Sequence, residues 1–367
     1  MNLQEAFEKG KTEYENRNAS KIGTLAIKQP EDLQNVDNDS VTKIFIYHEF
    51  LGELPCFKDY PNLEEVFVSS KYQVSDLNGQ NLSKLKYLSV FADYSEPRIA
   101  FDADNLKELY LNIQNNTYSN QISLFGNARP VIDLRNLNSL EKLTLSHVKG
   151  CEIVWPEYAR SIKQLIIDDG EFSDYDFLDG FPNVEKLSLT SCNISDCSFL
   201  QKLEHLTVLN LSYNNIKTMI KPKSELSFLD LRRNDIEDQN VYFFADEVLV
   251  SDRDELIRSF KDNICRWFMY TSYSSVVSMR KPDSKRPEWH QKMIATKTDE
   301  ELFSHMLSVN VSHHIAGILD PSGYQNRRAK LTYEELEKIA VDMLPFIELH
   351  RYRIEKTRGY KRYIKIE

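Results

Sequence analysis

The sequence lacks the features that mark a secreted, membrane-spanning or disulfide-stabilised protein. Its N-terminus has no basic region followed by an apolar run, so no signal peptide is expected. No apolar run is long enough to span a bilayer. The 5 cysteines are odd in number and scattered, without the spacing of a disulfide framework or a metal site. These absences predict a cytoplasmic protein without metal or cofactor, and they leave delivery into a host as an effector open.

Glycine and proline are also scarce, with 11 and 12 residues among 367, which excludes collagen-like and low-complexity classes. The net charge of −10 argues against a protein that wraps nucleic acid over its whole surface. The charge is uneven, because residues 1–250 contain 25 Lys and Arg against 39 Asp and Glu, whereas residues 251–367 contain 21 against 17. We therefore expect an acidic region followed by a mildly basic one.

One pattern of aliphatic residues recurs along the acidic region. In its clearest copy, Leu206, Leu209 and Leu211 are followed by Asn214 and Ile216. Nine copies are separated by 22, 22, 21, 34, 22, 22, 22 and 20 residues, and all 27 of their framed positions are Leu, Ile or Val. These copies begin at Val41, Leu63, Leu85, Leu106, Leu140, Ile162, Val184, Leu206 and Leu226, and a tenth copy comprising Ile22, Leu25 and Ile27 precedes them. A constant period in this range is typical of a solenoid of stacked strands.

The pattern resembles the motif L-x-x-L-x-L-x-x-N/C-x-L of leucine-rich repeat proteins. Its period is similar to the short class found in internalins and in a regulatory subunit of protein phosphatase. The resemblance implies an α/β repeat solenoid over residues 22–250, a horseshoe with a parallel sheet on its concave face. Only the last three copies place Asn or Cys at the motif's turn position, as Cys192, Asn214 and Asn234. The earlier turns are therefore expected to be less regular.

Three further features complete this part of the chain. We expect residues 1–21 to form an N-terminal capping helix with Leu3, Ala6 and Phe7 on its apolar face, and we expect Asp246–Val250 to begin the exit from the array. The 34-residue interval contains an insertion between Asn115 and Arg129, which we interpret as a surface loop.

Aromatic residues are concentrated at one end of the predicted concave face. Because strand side chains alternate, the residues between and beside the framed positions should face this side. Six of fifteen such residues are aromatic in the first five strands, whereas Phe228 alone is aromatic in the next five. The six are Phe45, Tyr47, Phe67, Tyr87, Phe91 and Tyr110. Aromatic side chains dominate protein interfaces, so we predict that these six bind a partner protein. The alternatives are that strands favour Tyr and Phe in any case, or that a terminal cap covers them.

The C-terminal segment, residues 251–367, is predicted to be a mainly helical domain that ends in a β-hairpin. Residues 252–269 show apolar residues at helical spacing, and Thr298 with Glu301 and Thr332 with Glu335 are capping boxes that open two more helices. Two strands, Tyr352–Lys356 and Tyr360–Ile366, flank a turn at residues 358–359.

A helix followed by a basic hairpin resembles the end of a winged-helix domain. The candidate phosphate-binding residues are Arg351, Arg353, Arg358, Lys361 and Arg362. The alternative is that basic residues protect a hairpin edge from pairing with another strand. Nucleic-acid binding by this domain is therefore the second hypothesis for function.

Catalytic motifs are absent from the sequence. His305 and His313 are eight positions apart, not the four that places two ligands on one helical face. Cys265 lies on an apolar face and lacks the Cys-x-Asp motif of bacterial repeat effectors that carry a ubiquitin ligase. The leading hypothesis is a non-catalytic scaffold that binds a partner protein on the concave face. An unrecognised enzyme within residues 251–367 is the third hypothesis.

Overall fold

The computed structural model describes residues 1–19, 22–47, 50, 53–69, 76–77, 80, 82–93, 98–101, 103–114, 130–282, 286–320, 331–357 and 360–366. The chain forms two compact units. One comprises Gly23–Val250, and the other combines Met1–Ile22 with Ser251–Glu367. The predicted insertion between Asn115 and Arg129, and most turns of the early copies, lie outside the described residues.

The first unit is built around an 11-stranded sheet in which every neighbouring pair is parallel. Its strands, in spatial order, are β1 (Thr24–Ile27), β2 (Lys43–Ile46), β3 (Glu65–Val68), β4 (Tyr87–Asp93), β6 (Glu108–Gln114), β8 (Lys142–Ser146), β10 (Gln164–Asp168), β11 (Lys186–Thr190), β12 (Val208–Asn210), β13 (Leu226–Asp230) and β14 (Ala245–Leu249). Short 3-10 helices in the return segments, such as Asp176–Gly180 and Ser198–Lys202, cover the apolar side of the sheet with Leu178 and Leu200.

The strand register confirms the repeat frame. The central framed residue of each copy pairs with that of the next, as in Leu143 with Leu165 and Leu165 with Leu187. All 27 framed positions from Val41 to Leu231 are buried, and none is more than 4% exposed. Ile22 is the exception among the proposed copies, since it is 77% exposed. It precedes the edge strand β1, where no earlier repeat is stacked beside it.

Two parts of this unit were not predicted. Residues 246–250 do not begin the exit from the array, because β14 adds an eleventh strand in parallel register with β13. Ala245 and Val248 of this strand pair with the framed leucines Leu226 and Leu229, but the first framed position is Ala, where the nine copies have Leu, Ile or Val. A second parallel sheet of three short strands, β5 (Arg98–Ala100), β7 (Val131–Asp133) and β9 (Glu152–Val154), buries Ile99 and Ile132. Strands of three residues are too short to show alternation in the sequence.

The second unit is mainly helical and ends in an antiparallel hairpin, as predicted. Its helices are α1 (Leu3–Ala19), α2 (Asp252–Asp262), α3 (Met269–Arg280), α4 (Glu288–Thr296), α5 (Asp299–Leu319) and α6 (Tyr333–Met343), and a π-helical stretch over Asn263–Phe268 joins α2 to α3. The hairpin pairs β15 (Tyr352–Thr357) with β16 (Tyr360–Lys365). The capping boxes of Thr298 and Thr332 are both formed, and Ser251 forms a third at the start of α2.

The assignment of residues 1–21 to the solenoid is corrected by the packing of α1. Phe7 contacts Phe303 and Tyr273 edge-on, with ring centroids 5.5 and 5.2 Å apart. A Cβ atom on Gly10 would lie 2.6 Å from the carbonyl oxygen of Met269, so glycine allows α1 to approach α3 closely. The apolar face expected to cap the repeats is therefore part of the helical core.

Candidate functional site

The register of the first five strands brings the predicted aromatic residues onto one face of the sheet. Phe45 lies beside Phe67, Phe67 beside Ser89, and Ser89 beside Tyr110. These four form the middle row of the face, because the residues on either side of them in each strand are framed and buried. Tyr47, Tyr87 and Phe91 lie two residues from this row, on the same face.

The rings touch one another across the strands. Phe45 and Phe67 are stacked with centroids 3.9 Å apart and planes 6° from parallel. Phe67 contacts the ring of Tyr87 at 4.7 Å, and Phe91 contacts that of Tyr110 at 5.8 Å. Five of the six rings are half-buried, and Tyr47 is 38% exposed. We call these six residues the aromatic cluster.

A concavity of about 220 Å³ opens within the aromatic cluster. Small side chains create it, because Ser69 and Ser89 stand where their neighbours carry rings. Its lining residues are Phe45, Ile46, Tyr47, Phe67, Val68, Ser69, Ser89 and Phe91, none of them charged. We call this concavity the serine slot.

Charged residues border the cluster on the row nearest the strand N-termini. Lys43 forms an ion pair with Glu65 at 2.8 Å, and Lys142 forms one with Glu108 at 3.4 Å. Tyr87 lies between these pairs, and its burial raises the pKa of its phenol, with a smaller contribution in the same direction from Glu108. At the opposite border, the Lys28 ammonium lies 4.7 Å from the centroid of the Tyr47 ring.

Sequence reasoning placed Lys28, Ser69 and Ser89 on the concave face but did not include them in the site. The signal that could have found the slot is the alternation itself, since Ser69 follows Phe67 by two positions and Ser89 lies between Tyr87 and Phe91. Which rings border a small residue depends on the neighbouring strands, and this information comes only from the register.

The later strands present a different surface. Their middle row contains Thr144, Ile166, Ser188 and Asn210. Phe228, the aromatic residue predicted on this face of the later strands, lies in β13. The Thr190 hydroxyl donates to an oxygen of Asp168 at 2.6 Å. Two short polar side chains of neighbouring strands are therefore joined by a hydrogen bond on this part of the face.

The turns of the later copies contain a ladder of buried side chains. The Asn214 Oδ1 accepts hydrogen bonds from the backbone N–H groups of Cys192 and Ile194 at 2.9 and 3.0 Å. Its Nδ2 donates to the carbonyls of Leu189 and Leu211 at 2.7 and 2.9 Å. Asn234 repeats the arrangement by accepting from the N–H of Ile216 and donating to Leu211 and Leu231. Asparagine at this position satisfies backbone groups of two successive turns.

A parallel sheet of repeats in register, with aliphatic residues inside and asparagines in the turns, decides the fold. The chain has the leucine-rich repeat fold. In this leucine-rich repeat solenoid, three repeats have the Asn or Cys of the motif at the turn position. These residues, Cys192, Asn214 and Asn234, are the ones that form the ladder.

Comparison with known proteins gives similarity to solved leucine-rich repeat structures at low sequence identity. An internalin, InlF of Listeria monocytogenes, is 16% identical, with 60% of this chain and 69% of that chain covered and a TM-score of 0.36. An internalin-like protein of the same organism is 17% identical, with 68% of each chain covered and a TM-score of 0.37. The leucine-rich repeat domain of APL1B is 13% identical, with 60% and 64% covered and a TM-score of 0.35. No protein-family model and no curated protein matches the sequence.

The basic residues of the hairpin lie close to acidic residues. Arg351 contacts Glu337 at 3.4 Å, Arg353 contacts Glu355 at 2.6 Å, and Lys361 pairs with the buried Asp320. The Asp320 carboxylate raises the pKa of Lys361. Arg362 is exposed and lies opposite Glu355 in the hairpin register, and Arg358 is outside the described residues. A phosphate group would have to compete with these carboxylates, which disfavours the nucleic-acid hypothesis.

Burial favours the protonated form of four thiols, among them that of Cys265. Burial raises the pKa of Cys151 to about 11 and that of Cys192 and Cys197 to about 12. Burial also raises the pKa of Cys265. In the described part of the chain, no cluster of His, Cys, Asp and Glu could hold a metal ion, and no helix combines the length and apolar character needed to cross a bilayer.

Proposed function

We propose that the protein is a non-catalytic interaction scaffold that binds a partner protein through the aromatic cluster on the concave face of its solenoid. The observation that carries this proposal is the contiguous contact of Phe45, Phe67 and Tyr87, three half-buried rings on the side of the sheet opposite the core. The framed residues already form a complete core on the other side. Rings that are ordered by one another but remain partly in water supply contact area at a small entropic cost, as interface anchors do.

The proposal is supported by the contrast within the same sheet. A general preference of strands for Phe and Tyr would place rings along its whole length. In the equivalent row of the later strands, Phe228 is the aromatic side chain, and the other positions are Thr144, Ile166, Ser188 and Asn210. The concentration of rings in the first five strands therefore favours a local binding surface.

The test uses the full chain, because α1 belongs to the core of the helical unit and a cut after residue 250 would separate it from Tyr273 and Phe303. Proteins captured by the wild type are compared with those captured by the double variant Tyr47→Ala/Phe91→Ala and by Phe228→Ala. We expect the double variant to lose the partner, with an affinity reduced about 100-fold or more, since hot-spot truncations commonly cost 2 kcal/mol or more each.

Phe228→Ala is the matched control, because it removes a half-buried ring from the same face in a later repeat. It should keep the partner. The thermal midpoint of the double variant should change little, since Tyr47 is 38% exposed and Phe91 is half-buried. Unfolding of the double variant would mean that these rings are core residues, and retention of every captured protein would exclude the cluster as the binding surface.

A further inference from the structure

The serine slot has a shape that the surrounding pattern does not require. Ser89 is in register with Phe67 on one side and Tyr110 on the other, and it follows Tyr87 and precedes Phe91 by two positions. A fourth ring in the middle row would close the surface at this point. Two serines instead leave a recess of about 220 Å³ bordered by Phe45, Tyr47, Phe67 and Phe91.

The lining of the slot selects an apolar occupant. The Ile46 and Val68 side chains point into the core, each 2% exposed, so the aromatic rings and the two serines provide the side chains of the recess. A charged group placed there would lose hydration without gaining an opposite charge. An aliphatic or aromatic side chain would gain contact with ring faces on several sides.

The charge at one end of the slot specifies what should lie next to that occupant. Lys28 is exposed, and its ammonium lies 4.7 Å from the centroid of the Tyr47 ring, which borders the slot. The nearby Asp32 carboxylate accepts from the backbone N–H groups of Lys28 and Gln29 at 2.8 and 3.0 Å, and these hydrogen bonds lower its pKa. The slot is complementary to an apolar side chain, and the Lys28 ammonium beside it is complementary to an acidic one. A segment with an apolar residue next to an acidic residue would satisfy both.

We infer that the partner inserts one apolar side chain into the serine slot and places an acidic residue beside Lys28. This inference depends on the proposed function, because it names the chemistry of the partner at the same face. The occupant is a protein segment with an aromatic or large aliphatic anchor next to Asp or Glu.

The probe is a library of random peptides displayed on phage and selected on the full chain. We expect the enriched peptides to share an apolar residue adjacent to an acidic one. Their binding should fall about 30-fold or more in Ser69→Trp, which fills the slot, and about 10-fold in Lys28→Glu. Ser188→Trp and Lys186→Glu are the matched controls, because they make the same changes on the same face of β11, and they should bind within about twofold of wild type.

A second filling variant, Ser89→Leu, protects the test from a misfolded Ser69→Trp, and both are compared with wild type by circular dichroism and thermal midpoint. If the folded filling variants bind the peptides as well as wild type does, while Tyr47→Ala/Phe91→Ala loses them, the slot inference is wrong and the proposed function stands. If the double variant also retains the peptides, the proposed function fails with it. A selection that enriches no peptide dependent on Tyr47 and Phe91 overturns the inference too.

Discussion

The first and second halves of the solenoid sheet share one backbone repeat but differ in where their specialised side chains lie. Strands β2–β4 and β6, with Tyr47 directly after β2, carry the aromatic cluster on the face opposite the core. Strands β8, β11 and β12 carry Thr144, Ser188 and Asn210 in the equivalent middle row, and the turns after β11, β12 and β13 contain the ladder of Cys192, Asn214 and Asn234. The framed aliphatic residues are buried equally in both halves. In this solenoid, the residues on the concave face and at the turn position vary while the core stays the same. Some repeats can therefore carry a binding surface, and others can have turns held by asparagine side chains.

The residue at the turn position changes within the second half. In the second half, Asn214 satisfies two N–H groups and at least two carbonyls. In the copy that starts at Leu140, the equivalent residue is Val148, which is 2% exposed and has no polar group to offer. Between them lies Gly170, where a Cβ atom would come 2.7 Å from the ring of Phe172. The ladder thus ends where an aromatic side chain occupies the space that the next asparagine would need.

The largest effect on stability is expected for Asn214→Ala. The substitution removes the partner of the Cys192 and Ile194 N–H groups and of the Leu189 carbonyl, whereas the Leu211 carbonyl keeps the Asn234 amide. At about 1–3 kcal/mol for each of the three groups, we expect a total loss of roughly 3–5 kcal/mol. Hydrogen exchange of the full chain, followed by mass spectrometry, should show lost protection in peptides that cover β11 and β12.

Val148→Ala is the control from the other kind of turn. It removes only apolar contact, which should cost about 2 kcal/mol. If Asn214→Ala costs no more than Val148→Ala, the ladder contributes less than its hydrogen bonds indicate, and the contrast between the two kinds of turn would lose its energetic basis.

The fold of the solenoid could be predicted from the sequence because its core obeys a linear rule. Each framed residue packs against the same position of the next copy, so the period alone determines the register that Leu143, Leu165 and Leu187 display. The period predicts less at the two edges of the sheet, where a repeat has a neighbouring repeat on one side only. Ile22 is exposed at the first edge, and at the other edge β14 keeps the register although Ala245 stands where the nine copies have Leu, Ile or Val.

The candidate site was predicted only in part for a related reason. Alternation within a strand identified which rings face outward, but the serine slot depends on contacts between strands. The sequence also could not place α1, because an amphipathic helix carries no record of its partner. Gly10 marks the close contact with Met269, yet a glycine within a helix has the same appearance whether it faces another helix or solvent.

Asp133 and Asp230 form similar ion pairs with arginine in different parts of the solenoid, and the contribution of the Asp133 pair to stability can be tested by lowering the pH. Asp133 is the last residue of β7, in the chain segment between β6 and β8, and its carboxylate accepts hydrogen bonds from the Arg135 Nε–H and backbone N–H at 3.0 and 3.1 Å. The Arg135 guanidinium, with a smaller contribution from Arg98, lowers the pKa of Asp133 from 3.8 to about 2. In the second half, Asp230 binds Arg232 through the same Asp-x-Arg spacing.

We expect Asp133→Asn to lower stability at neutral pH by roughly 1–2 kcal/mol, a value reduced by the exposure of both arginines. Because the pKa is lower in the folded state, the stabilisation is complete above about pH 3.8 and is lost as the pH falls toward 2. Urea unfolding at a series of pH values should therefore show the variant and the wild type converging in acid. A difference that stays constant down to pH 2 would assign the effect to packing.

The smallest effect is expected for Gly170→Ala, at the position where the ladder ends. The added Cβ would lie 2.7 Å from Cε2 of Phe172 and 3.1 Å from Cγ2 of Ile167, so the Phe172 ring must shift. We expect a loss of about 1 kcal/mol in urea unfolding, at the lower end of the range for overpacking, because Phe172 is only partly buried. The double variant Gly170→Ala/Phe172→Ala separates the contact with the Phe172 ring from a requirement of the turn backbone for glycine. If the ring excludes a side chain at residue 170, the destabilisation caused by Gly170→Ala should vanish when Phe172 is truncated. A cost that persists would place the requirement for glycine in the turn backbone, and the ladder would then end for a conformational reason.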